Sequence, residues 1–448
     1  MVFDHFFDFQ LVLMKRFFLL LAIIAFALNG FSQNVFSLFG KSNSFFDLFV
    51  AGKFEEAHNY FSEEGKTKVT AENLKQFWTN MEAKLGKVKS IDATGSKAQG
   101  EYYAVTVSGE FQYDKQDFVL LFDKNEKLVG MHLLPKAVTY RSPGYADSTL
   151  YKEKSTYLQW PGHQLAAVVT TPKDGNSFPL VVLVHGSGPN DMDETIGPNK
   201  PFKDIAAGLA VNGIASIRYV KRTVIYPNEF GGAFTVKEEV LDDALKAIEL
   251  AKTIEGVDTK QIYVLGHSLG GMLAPRLATL APDLKGIILA AAPARKLSDI
   301  IIDQNKYMVA LTKDTTAAMQ KTLNDAIAEI EKTRITKLGK MKSDSVMLGL
   351  PASYWVDLNN YDQVAVAKKL KQRIFIIQGG YDFQVTETDY NLWKEALSSN
   401  TNASFKFYPD FNHLFTQQEQ KGTVLQYQKP ANVEQRTIED LTTWIKEL

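Results

Sequence analysis

Cysteine is absent from all 448 residues. That single absence removes thiol nucleophiles, thiolate metal sites, disulfides and lipid attachment at an N-terminal Cys. Stability must then come from core burial, which a chain of this length can supply. An excess of either charge is also missing: 50 Lys and Arg stand against 51 Asp and Glu, a formal net charge of -1. No run of basic residues builds a patch, and the balance argues against a polybasic nucleic-acid binder and a strongly acidic tail. Internal repeats and low-complexity tracts are lacking. Histidine is scarce, at 7 residues, and this matters below.

Long hydrophobic runs are nearly absent as well. The exception is Phe17 to Leu28 (FFLLLAIIAFAL), preceded by Met14-Lys15-Arg16 and followed by Gly30-Phe31-Ser32. The run is too short to span a bilayer as a mature helix. Its basic, apolar, small-residue order predicts a signal peptide cut before Gln33, with residues 1–32 as a leader and Met14 as the true start. The mature protein is then expected to be exported, periplasmic or secreted, with no stable membrane span.

What is present divides the remainder. Residues 35–135 read as a small α+β domain. Phe45, Phe46, Leu48, Phe49 and Phe54 recur at helical spacing, as do Leu74, Phe77, Trp78 and Met81. Strand-like runs follow at 103–107, 118–122 and 128–134, with a turn at 123–126. His58 and His132 stand alone and read as structural. Residues 136–154 read as a linker. From 155 to 448 apolar strands alternate with helices, the pattern of a mostly parallel sheet covered on both faces. The strands are expected at 165–171, 180–184, 214–219, 262–265, 286–290, 374–377 and 405–408. A mostly helical insertion at about 297–350 interrupts them as a cap.

The strongest motif is Gly266-His267-Ser268-Leu269-Gly270-Gly271, directly after a strand and before an apolar helical stretch. In that context G-x-S-x-G marks a nucleophile on a sharp turn, with glycines where a side chain would meet neighbouring backbone. The Leu269 amide then opens a helix beside the reacting centre and can stabilise an oxyanion. Pro275 should kink that helix. A second motif, His185-Gly186-Ser187-Gly188-Pro189, ends another apolar strand. It offers the other oxyanion donor, the Ser187 amide, with Gly188 as the alternative.

This kind of site orders its residues Ser, acid, His along the chain. Asp382 follows the strand at 374–377 and a Gly379-Gly380 turn; Asp357 and Asp362 are rivals that precede that strand. His413 is the only histidine after Ser268, so it is the base if the triad exists. His185 lies before the nucleophile and is set aside as the base.

On these motifs residues 155–448 resemble the α/β-hydrolase superfamily. Within it, His185 to Asp191 and Asp193 to Phe202 resemble bacterial EstD-like esterases, which also carry a small N-terminal domain. The first segment resembles the DUF3887-type domain that precedes some of them. The resemblance implies a serine carboxylesterase acting on short-chain acyl esters, with no cofactor or metal. It also leads one to expect an Asp within 218–222, where Val220 stands instead. Asp193 and Glu194 either shape the site entrance or solvate a loop, the second being the plainer reading. The same triad serves serine peptidases, thioesterases and acyltransferases. A non-catalytic cell-envelope binding module is the reading from another class. The partner expected is a small-molecule ester, not nucleic acid; oligomeric state is open.

Overall fold

The computed structural model describes residues 35–134 and 139–447. The leader expected at 1–32 lies outside them. Two compact units divide the described residues between 134 and 139.

The first unit opens with α1 (Val35–Val50) and, after two short helices, α2 (Ala71–Leu85). Thr70 and Asn73 form a reciprocal capping box that starts α2. Four antiparallel strands follow in simple order: β1 (Val88–Gln99), β2 (Tyr102–Phe111), β3 (Lys115–Phe122) and β4 (Leu128–Leu133). Phe45, Phe46, Phe49, Trp78 and Phe118 fill the space between helices and sheet. β1 is not among the strands expected from sequence. It is an edge strand with Ile91 its one buried hydrophobic residue, so it lacks the apolar alternation that marks a half-buried strand. His58 Nε2 lies 2.7 Å from the Val69 carbonyl, a structural role.

The second unit is built on eight strands: β5 (Tyr151–Trp160), β6 (His163–Pro172), β7 (Phe178–Val184), β8 (Ala215–Tyr219), β9 (Val257–His267), β10 (Gly286–Ala290), β11 (Arg373–Gly379) and β12 (Ala403–Tyr408). Their order across the sheet is β12-β11-β10-β9-β7-β8-β6-β5. From β8 to β12 neighbours run parallel; β6 and β5 are antiparallel additions. β7 is buried along its whole length, which explains its unbroken apolar run. Residues 151–154, read as linker from the sequence, are the start of β5. That strand is the exposed edge of the sheet, and its Lys152, Glu153 and Lys154 are charged where an edge must resist further pairing.

Helices cover both faces. α3 (Pro201–Val211) and α10 (Gln435–Lys446) pack Phe202, Leu209, Ile438, Leu441 and Trp444 on one side. α4 (Asp242–Ala251), α5 (Leu269–Leu280) and α9 (Glu387–Ala396) pack Ile248, Leu273, Leu277 and Trp393 on the other. The chain passes from β7 to β8 on one side and then to β9 on the other. The order therefore reverses between β7 and β9, and the crevice at their carboxyl ends is where such a sheet places a ligand. Among the described residues no helix is long and apolar enough to cross a membrane.

The insertion after β10 consists of α6 (Leu297–Thr312), α7 (Ala317–Glu331) and a short ribbon pairing 346–347 with 350–351. α8 (Ala352–Asn360) returns to the sheet. Its two ends are tied together. Lys296 Nζ donates to the carbonyls of Asn359 (3.0 Å) and Tyr361 (2.7 Å), and Gln363 Nε2 donates to the Arg295 carbonyl (2.9 Å). Tyr361 also accounts for Pro275. α5 runs through that proline as one helix. At the break the Tyr361 hydroxyl accepts from the Arg276 amide (3.1 Å) and donates to the Met272 carbonyl (3.1 Å). It thereby occupies the rung that a regular helix would close directly.

Candidate active site

Ser268 stands between β9 and α5 with φ 53° and ψ −116°, a conformation that non-glycine residues rarely adopt. The turn is held by the Ser268 amide on the Ala290 carbonyl (2.9 Å) and the Met272 amide on the Ser268 carbonyl (2.9 Å). Two glycines permit it. A Cβ on Gly266 would strike the Gly270 backbone, and one on Gly270 would strike the carbonyls of Val184 and His185. Strand, turn, helix and β7 thus meet at van der Waals limits, and Ser268 is pushed outward, half-buried where its neighbours are fully buried.

Asp382 and His413 come from the ends of β11 and β12. The loops carrying them are bound to each other: the Gly380 amide donates to the Tyr408 carbonyl (2.7 Å) and the Tyr381 amide to the Phe411 carbonyl (2.9 Å). Asp382 is fully buried. Its Oδ1 accepts the amides of Gln384 (2.7 Å) and Val385 (3.0 Å); its Oδ2 faces His413 Nδ1 at 2.6 Å and accepts from Gln378 Nε2 at 3.1 Å. Asn412 shapes the histidine loop by accepting the Leu414 and Thr416 amides. Asp382 and His413 are therefore directly bonded. Ser268 is joined to them through its neighbour: the His267 and His413 rings lie 4.6 Å apart, and His267 Nε2 is 2.9 Å from the His413 carbonyl. Among the described residues no hydrogen bond runs from Ser268 Oγ to His413. The rivals have other partners: Asp357 pairs with Arg276 (2.9 Å), and Asp362 caps the helix Gln363–Ala367.

The turn after β7 lies against Ser268. A Cβ on Gly186 would sit 3.2 Å from both Ser268 Cβ and Glu194 Oε1. Its three successive amides have different fates. Gly186 N–H donates to Glu194 Oε1 (2.7 Å) and Gly188 N–H to Glu239 Oε1 (3.0 Å). The Ser187 amide between them has no partner among the described residues, and neither has the Leu269 amide in the first turn of α5, where an amide has none within its helix. The Gly188 alternative is thus already engaged. His185 is buried, and burial drives its pKa down to about 4, so it stands neutral with Nε2 at the Asp191 carbonyl (2.9 Å).

Asp193 and Glu194 do not solvate a loop. Both are buried because their charges are matched inside: Asp193 pairs with Arg218 and with Lys200 (2.8 Å), Glu194 with His267 Nδ1 (2.9 Å). Where the resemblance led one to expect an acid, Val220 is buried and apolar, and the adjacent Lys221 instead forms an ion pair with Glu239 at 2.8 Å. Glu194, Glu239, Lys221 and His267 are the site residues that sequence reading did not single out for these contacts. Among the described residues no cluster of three or more His, Asp or Glu could hold a metal ion.

Residues 231–420 match the family described as serine aminopeptidase S33, and residues 42–131 match a family of proteins of unknown function, DUF3887. The chain is 36% identical over 393 residues to Esterase EstD of Thermotoga maritima, spanning 88% of this chain and 91% of that one. It belongs to the α/β-hydrolase family of that esterase. It is accordingly a serine hydrolase. Similar solved structures include Est1E from Butyrivibrio proteoclasticus, at 16% identity and a TM-score of 0.41, covering 65% of this chain and 99% of that one. A putative dipeptidyl aminopeptidase IV from Bacteroides ovatus matches at 16% identity and a TM-score of 0.44, covering 80% of this chain and 43% of that one.

Proposed function

We propose that this protein is a carboxylesterase that hydrolyses short-chain acyl esters through Ser268, His413 and Asp382. The observation that carries the reading is the Asp382–His413 bond at 2.6 Å beside a serine held at positive φ. The relative named as an esterase supports the ester as substrate class. Ser268 Oγ attacks the ester carbonyl while His413 Nε2 takes its proton. Asp382 holds the proton on Nδ1 and stabilises the imidazolium. The tetrahedral oxyanion is received by the amides of Ser187 and Leu269, each such donor contributing roughly 3 kcal/mol to transition-state stabilisation. His413 then protonates the departing alcohol, leaving an acyl-enzyme on Ser268. Water, deprotonated by His413, releases the acid and restores the serine.

Reaction with a fluorophosphonate should label Ser268, and Ser268→Ala should abolish hydrolysis of p-nitrophenyl acetate. Unchanged hydrolysis in that variant would remove the assignment. One further reading has an observation behind it: the match to a serine aminopeptidase family favours amide hydrolysis on the same residues. A panel of esters, thioesters and aminoacyl amides separates the two. We also propose export, on the leader at 1–32; an intact Met1 or Met14 on the mature protein would overturn it.

A further inference from the structure

Two buried glutamates bracket the turn after β7. We propose that Glu194 and Glu239 are paired positioning residues: each carboxylate takes one flanking amide, Gly186 or Gly188, so that of the three amides in this turn only that of Ser187 is left to join the Leu269 amide at the reacting oxygen. The inference rests on the acyl-transfer reading of Ser268.

The geometry is specific. Glu194 Oε1 holds the Gly186 amide and Glu239 Oε1 holds the Gly188 amide. The carbonyls of the same turn are gathered from the other side. Lys221 Nζ donates to the Gly186 carbonyl (2.9 Å), and Asn190 Nδ2 donates to those of Ser187 (3.2 Å) and Gly188 (3.2 Å). Gly186 is therefore fixed at both its amide and its carbonyl by groups of opposite charge. Glu239 is itself held by the Tyr354 hydroxyl on Oε2 (2.6 Å). It sits in a π-helical turn, Lys237–Leu241, an insertion that re-aims side chains and recurs at functional sites.

Two anions beside an oxyanion hole would oppose the charge that develops there. Each is instead matched by its own buried cation, Glu239 by Lys221 and Glu194 by His267. The charge on His267 follows from its neighbours. One ring nitrogen lies 2.9 Å from a carboxylate oxygen and the other 2.9 Å from a backbone carbonyl, two groups that only accept, and this favours a proton on each nitrogen. Burial lowers the affinity of this ring for its proton, but Glu194, the His413 carbonyl and Asp382 outweigh it, and the pKa is raised. The ring packs on His413, Phe202 and Phe415, while His185 faces Glu194 from the turn. The imidazolium thus links the oxyanion turn, the nucleophile and the histidine loop.

The test compares wild type with Glu239→Ala, Glu239→Gln, Lys221→Met and the double variant Lys221→Met/Glu239→Gln. Each is assayed for kcat and KM on p-nitrophenyl acetate and for inhibition by a trifluoromethyl ketone, whose adduct with serine mimics the tetrahedral oxyanion. Glu239→Ala should lower kcat by about 100-fold and weaken the ketone in proportion, as for a lost oxyanion donor, with KM within about twofold of wild type. Glu239→Gln keeps an acceptor for Gly188 and should recover most of the loss. Lys221→Met, which leaves an unmatched anion beside the oxyanion, should be worse than the double variant. A folded Glu239→Ala enzyme with unchanged kcat, or with the loss in KM alone, would overturn the proposal. So would a double variant no better than Lys221→Met.

If the alanine variant does not fold, the lysine pair carries the same test. Nitrogen-15 NMR of the wild-type histidines needs no variant: one ring should stay doubly protonated through neutral pH and vanish in His267→Asn. A neutral His267 would remove the Glu194 half. Wild type that neither binds the ketone nor is labelled by fluorophosphonate would instead refute the acyl-transfer reading.

Discussion

Replacing Asp382 by asparagine changes one atom and should nearly silence the enzyme. The two oxygens of Asp382 are not equivalent. Oδ1 accepts two backbone amides, from Gln384 and Val385, and so must remain an acceptor. In the Asp382→Asn variant the amide oxygen takes that place, which forces the NH2 group into the position of Oδ2. There it faces His413 Nδ1, now 2.6 Å from a carboxylate oxygen, and becomes the donor. Nδ1 must then accept, and the imidazole proton moves to Nε2, the atom that receives the serine proton in the proposed mechanism. Gln378 gives the NH2 group no reason to turn back, since its own Nε2 retains the carbonyls of Gly379 (3.1 Å) and Val385 (2.9 Å). A wrong tautomer in this arrangement lowers kcat by about 10^4-fold, which is roughly 5 kcal/mol of barrier. Initial rates on p-nitrophenyl acetate, with Ser268→Ala as the floor and circular dichroism as the check on folding, read the effect directly. A folded variant with kcat within about tenfold of wild type would refute the tautomer argument.

Other substitutions probe the frame around this site. Gly186→Ala would put a methyl 3.2 Å from Ser268 Cβ and from Glu194 Oε1; kcat should fall by on the order of tenfold with the fold retained, and wild-type rates would mean that the turn yields freely. Tyr361→Phe removes the hydroxyl that bridges Met272 and Arg276 across the Pro275 break. Urea unfolding should report a loss of about 3 kcal/mol from the two groups left unpaired, whereas a loss below about 1 kcal/mol would mean that the helix closes its own rung. Asp204 is buried, and burial raises its carboxyl to about 6 despite donors from Val433, Tyr140 and Asn432. The folded state therefore holds its proton more tightly than the unfolded one. Stability from this group is present below pH 4 and lost as pH rises through 6, by about 3 kcal/mol in all. Asp204→Asn should flatten that slope in denaturation curves recorded between pH 4 and 7; an unchanged slope would assign it to other groups.

The parts of this protein that were legible in its sequence are those whose physics is local. β7 and the part of β9 from Ile262 to Leu265 are buried on both faces and so appear as unbroken apolar runs. The glycines at 266 and 270 are needed by close approaches within a few residues of Ser268 and at the neighbouring strand. Edge strands were harder. β1 and the start of β5 lie at sheet edges with most of their side chains partly or fully exposed, and polarity without periodicity reads as loop. Pro275 looked like a defect in α5 for a different reason. Its remedy, the Tyr361 hydroxyl, is 89 residues away from Met272, and no local pattern announces it.

The same distinction explains why the turn at 186–188 is legible in the sequence and its supports are not. Gly186 and Gly188 lie in a recognisable motif, whereas the carboxylate on Gly188 is 51 residues downstream in a segment whose visible signal was a helix start. Thr235 and Glu238 do form that start, with Glu238 accepting from the Thr235 amide at 2.8 Å. The adjacent Glu239 carries no mark of its inward direction until the π-helical turn is known. His267 is the sharpest instance. In G-x-S-x-G the first x is free as far as the turn is concerned, because the turn constrains backbone and not that side chain. Here that freedom is occupied by a ring whose two nitrogens meet a carboxylate and a carbonyl. The motif therefore marks where the proposed chemistry sits, while the charge pairs proposed to orient it are written in residues the motif leaves open.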